Sequence, residues 1–541
     1  MDTSSVDIPP ADTGHRDTEV ELKLTAEESA LKSIMAAAAI TGRSVGKPRT
    51  RELESVYYDT PDLRLKRRRI ALRVRRSGRS WIQTLKTDGD GVTRDEWEAP
   101  VAGAQPDLGA IAAPEARAQL GLVLPDELRP VFATRFTRRS RVIEVPADEV
   151  DGHAPTPAVD PARIEVAFDL GSVVAGQREQ PVAEIELELL AGPPAALWHL
   201  ARELHDVAPV HLARASKAAR GYRLAGDERP APYKPAKASV PRGATVDEAL
   251  ETILRQCFEH WLANEDAALD GSDPEGVHQM RVALRRMRSA LKLYEPVLPP
   301  ERTHRLEAAL KRVADGLGPA RDQDVFLAEL VGPLEAAMPE ESEALGAVRA
   351  AAAEARAAGY DRVRATIADP DYTALVLELG EWIEARGWRD DLARAGDAET
   401  LATLGRPMTE LADKLLARHH KKVLKRGRHF ERLSPEARHR LRIACKKLRY
   451  AAEFWRGLYK PKKARAFVKA LSGLQDDLGH LNDVATARSL IAGLVEARPG
   501  DPALARGAGL VIAWHARGAA EAEPRLARDW RAFAGTKPFW H

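Results

Sequence analysis

The hydrophobic pattern of the 541-residue chain changes at a proline-rich stretch, residues 226–243. This stretch contains Pro230, Pro232, Pro235 and Pro241 and few large apolar residues, which is typical of a stiff, extended spacer. Before it, apolar residues recur with the period of two that predicts strands. After it, they recur with the period of a helix. The sequence therefore predicts two domains of different class, one rich in β-strands and one all-helical.

Composition excludes several classes of protein. Cys257 and Cys445 stand far apart, so neither a disulfide framework nor a cysteine-based zinc site is supported, and a reducing compartment is expected. Residues 1–16 are polar and predict a disordered N-terminus rather than a secretory signal. No apolar run approaches the roughly 18 residues that a membrane span needs. We therefore expect a cytoplasmic protein with no membrane partner.

Charged and aliphatic residues alternate in several predicted strands. In 19–24, Glu19, Glu21 and Lys23 share one face, and 71–75, 94–98 and 184–189 repeat the pattern. Consecutive glutamates on one face repel each other unless opposite charges face them. Such faces are either solvated or turned inward in a closed barrel. An inward arrangement would offer carboxylates to divalent cations and Lys or Arg to phosphate oxygens, which describes a site for a metal-chelated polyphosphate.

The predicted elements of this half are a helix over 26–39 and a series of strands. The strands are expected over 19–24, 54–58, 71–75, 81–86, 94–98, 141–145, 163–169 and 183–190.

Glu19-Val20-Glu21-Leu22-Lys23 resembles the ExExK signature of the CYTH family, the triphosphate tunnel metalloenzymes. Supporting segments follow in the family's order, among them Tyr57-Tyr58-Asp59-Thr60, Thr84-Leu85-Lys86 and Ser216-Lys217. The resemblance covers about residues 17–225. It implies an α+β domain with an eight-stranded antiparallel β-barrel tunnel that binds a triphosphate and Mg²⁺ or Mn²⁺.

The resemblance also implies roles for individual residues. The implied metal ligands are Glu19, Glu21, Asp169, Glu186 and Glu188, with Glu184 as an alternative because the last acidic strand has two possible registers. The implied phosphate ligands, which complete the catalytic set with Glu19 and Glu21, are Lys23, Arg73, Arg75, Lys86, Arg94, Arg138 and Lys217. The assignment of Arg138 depends on the register of its strand, which the sequence does not fix because Arg135, Arg139 and Arg141 lie nearby.

The second half contains a duplication. Shifting the sequence by 161 residues aligns 278–288 with 439–449 without a gap, and Tyr294 then falls on Trp455. His278, Arg281, Arg285 and Arg288 lie on one face of a predicted helix, with Leu284, Met287, Leu291 and Tyr294 opposite. His439, Arg442, Lys446 and Arg449 repeat this arrangement, backed by Leu441, Cys445, Leu448 and Trp455. Neither segment contains an acid. Because like charges at these spacings destabilise a helix, two such stripes indicate a polyanionic partner rather than solvated faces.

This pattern resembles the CHAD family, a helical bundle of two pseudo-symmetric halves, and the resemblance covers about residues 240–530. It implies binding of inorganic polyphosphate along a basic surface. The residues expected to carry it are His278, Arg281, Arg285, Arg286, Arg288, Lys421, Lys422, Lys425, His439, Arg442, Lys446, Lys447 and Arg449. Nucleic acid would satisfy the same charge, but no aromatic residues interleave with the stripes to stack on bases.

The sequence thus predicts four segments: a disordered N-terminus (1–16), a CYTH domain (17–227), a linker (228–243) and a CHAD domain (244–535) with halves at 246–400 and 405–535. The expected function is metal-dependent hydrolysis of inorganic tripolyphosphate in the tunnel, with polyphosphate bound by the helical domain. The alternatives are an adenylate cyclase of the same family, a phosphatase of another organic triphosphate, and a catalytically silent polyphosphate-binding protein. The expected location is the cytoplasm, including polyphosphate granules.

Overall fold

The computed structural model describes residues 17–87, 93–121, 123–147, 160–235 and 240–540. Some side chains inside these ranges are not described. The segment expected to be disordered, 1–16, lies outside them. Contacts divide the chain into two compact units. The first comprises Met1–Pro230 and Thr373–Ala385, and the second comprises Ala231–Tyr372 and Arg386–His541.

The first unit is built on one antiparallel sheet of nine strands. The strands run in the order β5-β4-β3-β2-β6-β7-β8-β1-β9. Their bounds are β1 Asp17–Ala26, β2 Ser44–Asp59, β3 Ile70–Ser77, β4 Ser80–Thr87, β5 Thr93–Val101, β6 Arg129–Val145, β7 Ala162–Ala175, β8 Arg178–Ala191 and β9 Val210–Leu212. Strand β1 pairs with β8 over Glu21–Thr25 and also with β5 over Asp17–Val20.

Each strand predicted from alternation lies within an observed strand, but two observed strands are much longer. β2 begins ten residues before the predicted 54–58, and β6 begins twelve residues before the predicted 141–145. The three-residue β9, which pairs with β1, is one strand more than the eight expected.

Short helices cover this sheet. They are α1 Glu28–Ala36, α2 Ala38–Thr41, α3 Arg64–Arg67, α4 Pro114–Leu120, α5 Ala195–Val207 and α6 Lys217–Gly226. The helix predicted over 26–39 is divided, because Ala37 has extended backbone angles between α1 and α2. One core cluster groups Leu72, Val74 and Leu85 with Leu65, and a second groups Tyr57, Phe132, Val173 and Tyr222.

The second unit is helical, and one of its helices is shared with the first. In chain order the helices are α7 Val246–Leu262, α8 Glu265–Asp270, α9 Pro274–Tyr294, α10 Pro300–Gly316, α11 Gly318–Val325, α12 Gly332–Ala337, α13 Ser342–Ala368, α14 Pro370–Glu384, α15 Trp388–Arg394, α16 Ala398–Leu404, α17 Met408–Arg426, α18 Pro435–Trp455, α19 Pro461–Ala497 and α20 Pro502–Ala534. Most of α14 belongs to the first unit, where Glu381 Oε1 lies 3.0 Å from His199 Nδ1 of α5. Within the described residues, no helix has both the length and the hydropathy required to cross a bilayer.

The two helices that carry the basic stripes have matching bounds. α9 and α18 are each 21 residues long, and both their first and their last residues are 161 positions apart. A side chain caps each N-terminus, Asp273 for α9 and Ser434 for α18. The apolar residues predicted to face a core on each helix, including Tyr294 and Trp455, are buried.

Candidate functional site

A cavity of about 170 Å³ lies against the sheet of the first unit. Charged side chains of both signs line it. The cations are Lys23, Arg73, Arg75, Lys86, Arg138 and Lys217, and the carboxylates are Glu21, Glu96, Glu98 and Glu186. Eight of the site residues predicted from the sequence are thus brought to one cavity by five strands and the N-terminus of α6.

The register of β1 explains how this strand contributes two of them. Glu21 lies opposite Glu188 of β8, and Lys23 lies opposite Glu186. Residues two apart on a strand share a face, so Glu21 and Lys23 both point into the cavity. Lys23 pairs with Glu21, and its Nζ lies 3.7 Å from Glu186 Oε1.

Three carboxylates converge beside the cavity. Asp169, Glu184 and Glu186 each place an oxygen within 4.8 Å of the others, and Asp169 and Glu184 are fully buried. Lys217 Nζ lies among them, 2.8 Å from Asp169 Oδ2, 2.6 Å from Glu184 Oε2 and 2.9 Å from Glu186 Oε1. Oε2 of Glu184 meets Lys217 as an ion pair but without the geometry of a hydrogen bond.

Two further cations border this acidic trio of Asp169, Glu184 and Glu186. Arg138 donates two hydrogen bonds to Asp169, at 2.8 and 2.7 Å, and pairs with Glu186. Arg220, which was not among the predicted site residues, pairs with Glu184. Burial would raise the pKa of Glu186, but the charges of Lys217, Arg138 and Lys23 hold it well below its ordinary value. The glutamate is therefore ionised at neutral pH.

Helix α6 fixes the position of Lys217. Lys217 is its first residue, after the capping residue Ser216. Gly221 packs so closely on β6 that a Cβ atom there would lie 2.0 Å from Phe132. Tyr222 donates a 3.0 Å hydrogen bond to Asp59, a buried carboxylate that also accepts from the backbone of α3. These contacts anchor α6 at the end of the cavity.

Arginines of β3 supply most of the remaining positive charge. Arg73 Nη2 lies 3.3 Å from Glu96 Oε1, whereas its buried Nε has no hydrogen-bond partner among the described residues. Burial and the neighbouring Arg73 lower the pKa of Arg75 to about 10, so its guanidinium stays charged at neutral pH. Lys86 of β4 pairs with Glu96 at 2.5 Å. This side of the cavity is preorganised to receive an anion.

Of the predicted residues whose side chains are described, Asp169 and Glu188 do not line the cavity. Asp169 belongs to the buried trio behind it. Glu188 lies opposite Glu21 on the adjacent strand and is not a member of the trio. Glu19 and Arg94 lie opposite each other in the β1–β5 pair, but their side chains are outside the described residues.

Sequence reasoning missed several contributors to the site. Glu184, offered only as an alternative, is a full member of the trio. Arg220 follows Lys217 by one helical turn, and this i,i+3 spacing is a signal that could have identified it. Two cations lie over the ring of Phe136: Lys217 Nζ is 5.1 Å from the ring centroid, and the Arg138 guanidinium is 5.7 Å from it. Only the register of β6 reveals these contacts.

In the second unit, the two stripe-bearing helices meet. Arg285 Nε of α9 donates to Tyr450 Oη of α18 at 2.5 Å, and Trp455 Nε1 donates to Tyr294 Oη at 3.0 Å. Although the stripe segments contain no acids, some of their arginines still lie close to a carboxylate outside these segments. Arg286 and Arg449 both approach Glu453, one turn beyond the second segment, and Arg288 approaches Glu307 of α10.

The remaining predicted basic residues differ in exposure. Arg281 is half-buried and donates to the Ala314 carbonyl at 2.6 Å. Burial and Arg321 lower the pKa of His278 to about 4, so this histidine is neutral at pH 7. Arg321, from α11, is a further cation that the sequence did not identify. On the other helices, Lys421, Lys422, Lys425, His439 and Lys447 are exposed, and Arg442 and Lys446 are half-buried.

Comparisons with known proteins divide the chain in the same way. The model of the CYTH domain matches residues 17–222, and the model of the CHAD domain matches residues 252–492. An inorganic triphosphatase of Haemophilus influenzae is 32% identical over 182 residues, which is 32% of this chain and 46% of that protein. An uncharacterized protein of Mycobacterium tuberculosis is 28% identical over 331 residues, 60% of this chain and 61% of that protein. The chain thus spans about half the length of the curated relatives it matches.

Among solved structures, the CHAD domain from the plant Ricinus communis is 31% identical, with a TM-score of 0.49 over 57% of this chain and 98% of that one. The CYTH match lies within the first unit, and the CHAD match lies mostly within the second. The chain consists of a CYTH domain followed by a CHAD domain.

Proposed function

We propose that the CYTH domain is a metal-dependent triphosphatase that hydrolyses inorganic tripolyphosphate. The observation that carries this proposal is the convergence of six cations on one cavity beside a buried carboxylate trio. A linear triphosphate has the dense charge that such a cavity requires. The name of the Haemophilus influenzae relative, an inorganic triphosphatase, supports the same substrate class.

The eight strands β1–β8 would form the wall of the expected tunnel. Their order along the sheet places β5 and β1 at its two ends once β9 is set aside, and β1 also pairs with β5. That pairing supports a sheet that turns back on itself, with its charged faces inward.

The residues of the trio fit a divalent cation. Mg²⁺ and Mn²⁺ prefer oxygen ligands, and three carboxylate oxygens within 4.8 Å of one another are an appropriate donor set. Asp169, Glu184 and Glu186 would hold the ion, with Glu19, Glu21 and Glu188 of the same region as the other proposed ligands. When bound, the ion would act as a Lewis acid that offsets the charge that develops on the leaving phosphate.

The chain's own cations would hold the substrate. Arg73, Arg75 and Lys86 lie on one side of the cavity, and Lys23, Arg138 and Lys217 lie around the trio. Arg73, Arg75 and Lys86 are held by protein contacts before the substrate arrives, and cations fixed in this way stabilise developing charge without reorganising. Arg94 stays a prediction, since its side chain is not described.

We also propose that the CHAD domain binds inorganic polyphosphate and consists of two related halves. The contact between Arg285 and Tyr450 brings the two basic helices side by side, and the matched bounds of α9 and α18 support the duplication. The helices thus carry the cations of both stripes on neighbouring elements, and Arg321 lies close to His278 of the first stripe.

One assay tests the catalytic proposal. The full chain is given tripolyphosphate, ATP or thiamine triphosphate with Mg²⁺ or Mn²⁺, and phosphate and cyclic AMP are measured. We expect phosphate release from tripolyphosphate, a loss of roughly 100-fold or more in Glu186→Gln, and little change in Glu179→Gln, an exposed glutamate of the same strand. Cyclic AMP from ATP would indicate a cyclase instead. Binding without turnover of any substrate would indicate a catalytically silent protein.

A further inference from the structure

Two arginines extend the basic face of the sheet beyond the cavity. Arg49 and Arg51 lie in the first half of β2, which pairs with β6 alone, because pairing with β3 begins only at Glu54. Both side chains are exposed. Within the described residues, this half of β2 is an edge strand of the sheet, because β6 pairs with β7 on its other side.

The register places both arginines on the cavity face of the sheet. Arg51 lies opposite Arg138, and Arg49 lies opposite Ser140, with uninterrupted pairing from Arg49 to Tyr57. Residues 49, 51, 53, 55 and 57 therefore share one face. Tyr57 and Arg138, which belong to that face, line the cavity. Arg51 and then Arg49 continue its row of cations outward.

The two arginines differ from Arg138 in their ion pairs within the described part of the chain. Arg138 has Asp169 and Glu186 as partners, whereas no carboxylate within the described residues pairs with Arg49 or Arg51. Two like charges directly opposite each other on adjacent strands, as at Arg51 and Arg138, destabilise a sheet unless an anion lies between or beside them. Residues two apart on a strand are separated by about 6.7 Å, which lets each guanidinium bind a different phosphate group.

We propose that Arg49 and Arg51 form an outer anion subsite for the distal phosphates of a linear polyphosphate whose end group is bound in the cavity. The subsite would favour inorganic chains longer than three phosphates. This inference rests on the proposed triphosphatase function, because it extends the same binding site.

The test compares chain lengths in the full-length protein. Arg49→Ala with Arg51→Ala is measured beside a control, Arg139→Ala with Arg141→Ala, which removes the same charge from the opposite face of the sheet, on β6. Phosphate release gives kcat/KM for tripolyphosphate and for a longer linear polyphosphate of defined length. We expect the ratio of long-chain to tripolyphosphate kcat/KM to fall roughly 10-fold in the first variant, through KM, and to stay at the wild-type value in the control.

The CHAD domain is also proposed to bind long chains, so the comparison is repeated with Arg281→Glu and Arg442→Glu present. We expect Arg49→Ala with Arg51→Ala to lower the ratio of long-chain to tripolyphosphate kcat/KM in this charge-reversed protein as well. An unchanged ratio, or an equal fall in the control, would overturn the outer subsite while leaving the triphosphatase proposal intact. No turnover of either substrate by the wild-type chain would instead overturn the triphosphatase proposal, and the subsite with it.

Discussion

Lys217 is the residue whose position most needs explanation. It carries a positive charge at the first position of α6, where the helix dipole disfavours a cation. Burial would lower its pKa as well, but Glu186, Asp169 and Glu184 raise the pKa above its ordinary value. Its ammonium lies in the same space between the three carboxylates that a cation bound by all three would need. Metal binding by the trio therefore requires Lys217 to swing toward the cavity, where it would meet phosphate.

This geometry predicts opposite effects of Lys217→Met on the two ligands. Removing the competing ammonium should tighten Mn²⁺ binding in the absence of substrate by roughly 10-fold, since one unit charge at contact distance is removed. Binding of tripolyphosphate should weaken, because a phosphate ligand is lost. Manganese titration followed by electron paramagnetic resonance measures the first effect, and calorimetry measures the second. Lys66→Met, which removes a half-buried ion-pair partner of Glu228 outside the cavity lining, serves as the control. Weaker Mn²⁺ binding in Lys217→Met would show that the trio does not hold the metal.

At the scale of elements, alternation of charge and apolar residues located the centre of each strand but not its full length. The first half of β2 was missed because Gly46, Lys47 and Pro48 break the alternation, and the pairing with β6 is itself irregular between Val45 and Arg49. The sequence also could not show which of Glu184 and Glu188 is a metal ligand. Three glutamates at a period of two look alike in sequence, and only the pairing of β8 with β7, which sets Glu184 opposite Asp169, distinguishes them.

At helix α6, only Ser216 and Lys217 were identified from the sequence. The whole helix nevertheless anchors one end of the site. Its close approach to β6 depends on Gly221, so Gly221→Ala should force the helix away from Phe132. We expect a loss of about 1–3 kcal/mol in stability and a disproportionate loss of tripolyphosphate turnover, because Lys217 moves with the helix.

Thermal unfolding and phosphate release measure these two effects. Gly346→Ala, in α13 with open space around its Cα, should keep turnover and slightly raise stability. Combining Gly221→Ala with Phe132→Leu should restore part of the lost activity. Full activity in Gly221→Ala alone would show that the seating of α6 does not position Lys217.

At the scale of the whole molecule, a net charge of +2 conceals two separate concentrations of positive charge. In the CYTH domain the cations surround a cavity and are interleaved with carboxylates, an arrangement suited to a short substrate and a metal. In the CHAD domain they follow two adjacent helices, an arrangement suited to a long anion without a metal. Because the two arrangements differ in this way, we expect the two proposed sites to bind their anions independently.

If the sites are independent, charge reversal in one should spare the other. Arg281→Glu with Arg442→Glu should weaken binding of long polyphosphate by roughly 10-fold or more, with a reduced dependence on salt, because contacts to the polyanion are replaced by repulsion. Tripolyphosphate turnover should remain within about 2-fold of wild type, since neither residue belongs to the CYTH cavity.

Arg312→Glu with Arg528→Glu makes the same change in charge at exposed positions of α10 and α20 outside the stripes, and it should affect long-chain binding less. Long-chain binding is measured by calorimetry at several salt concentrations, and turnover by phosphate release. Equal loss of binding and turnover in the stripe variant would mean that the two sites act as one, with the CHAD helices required for catalysis in the CYTH cavity.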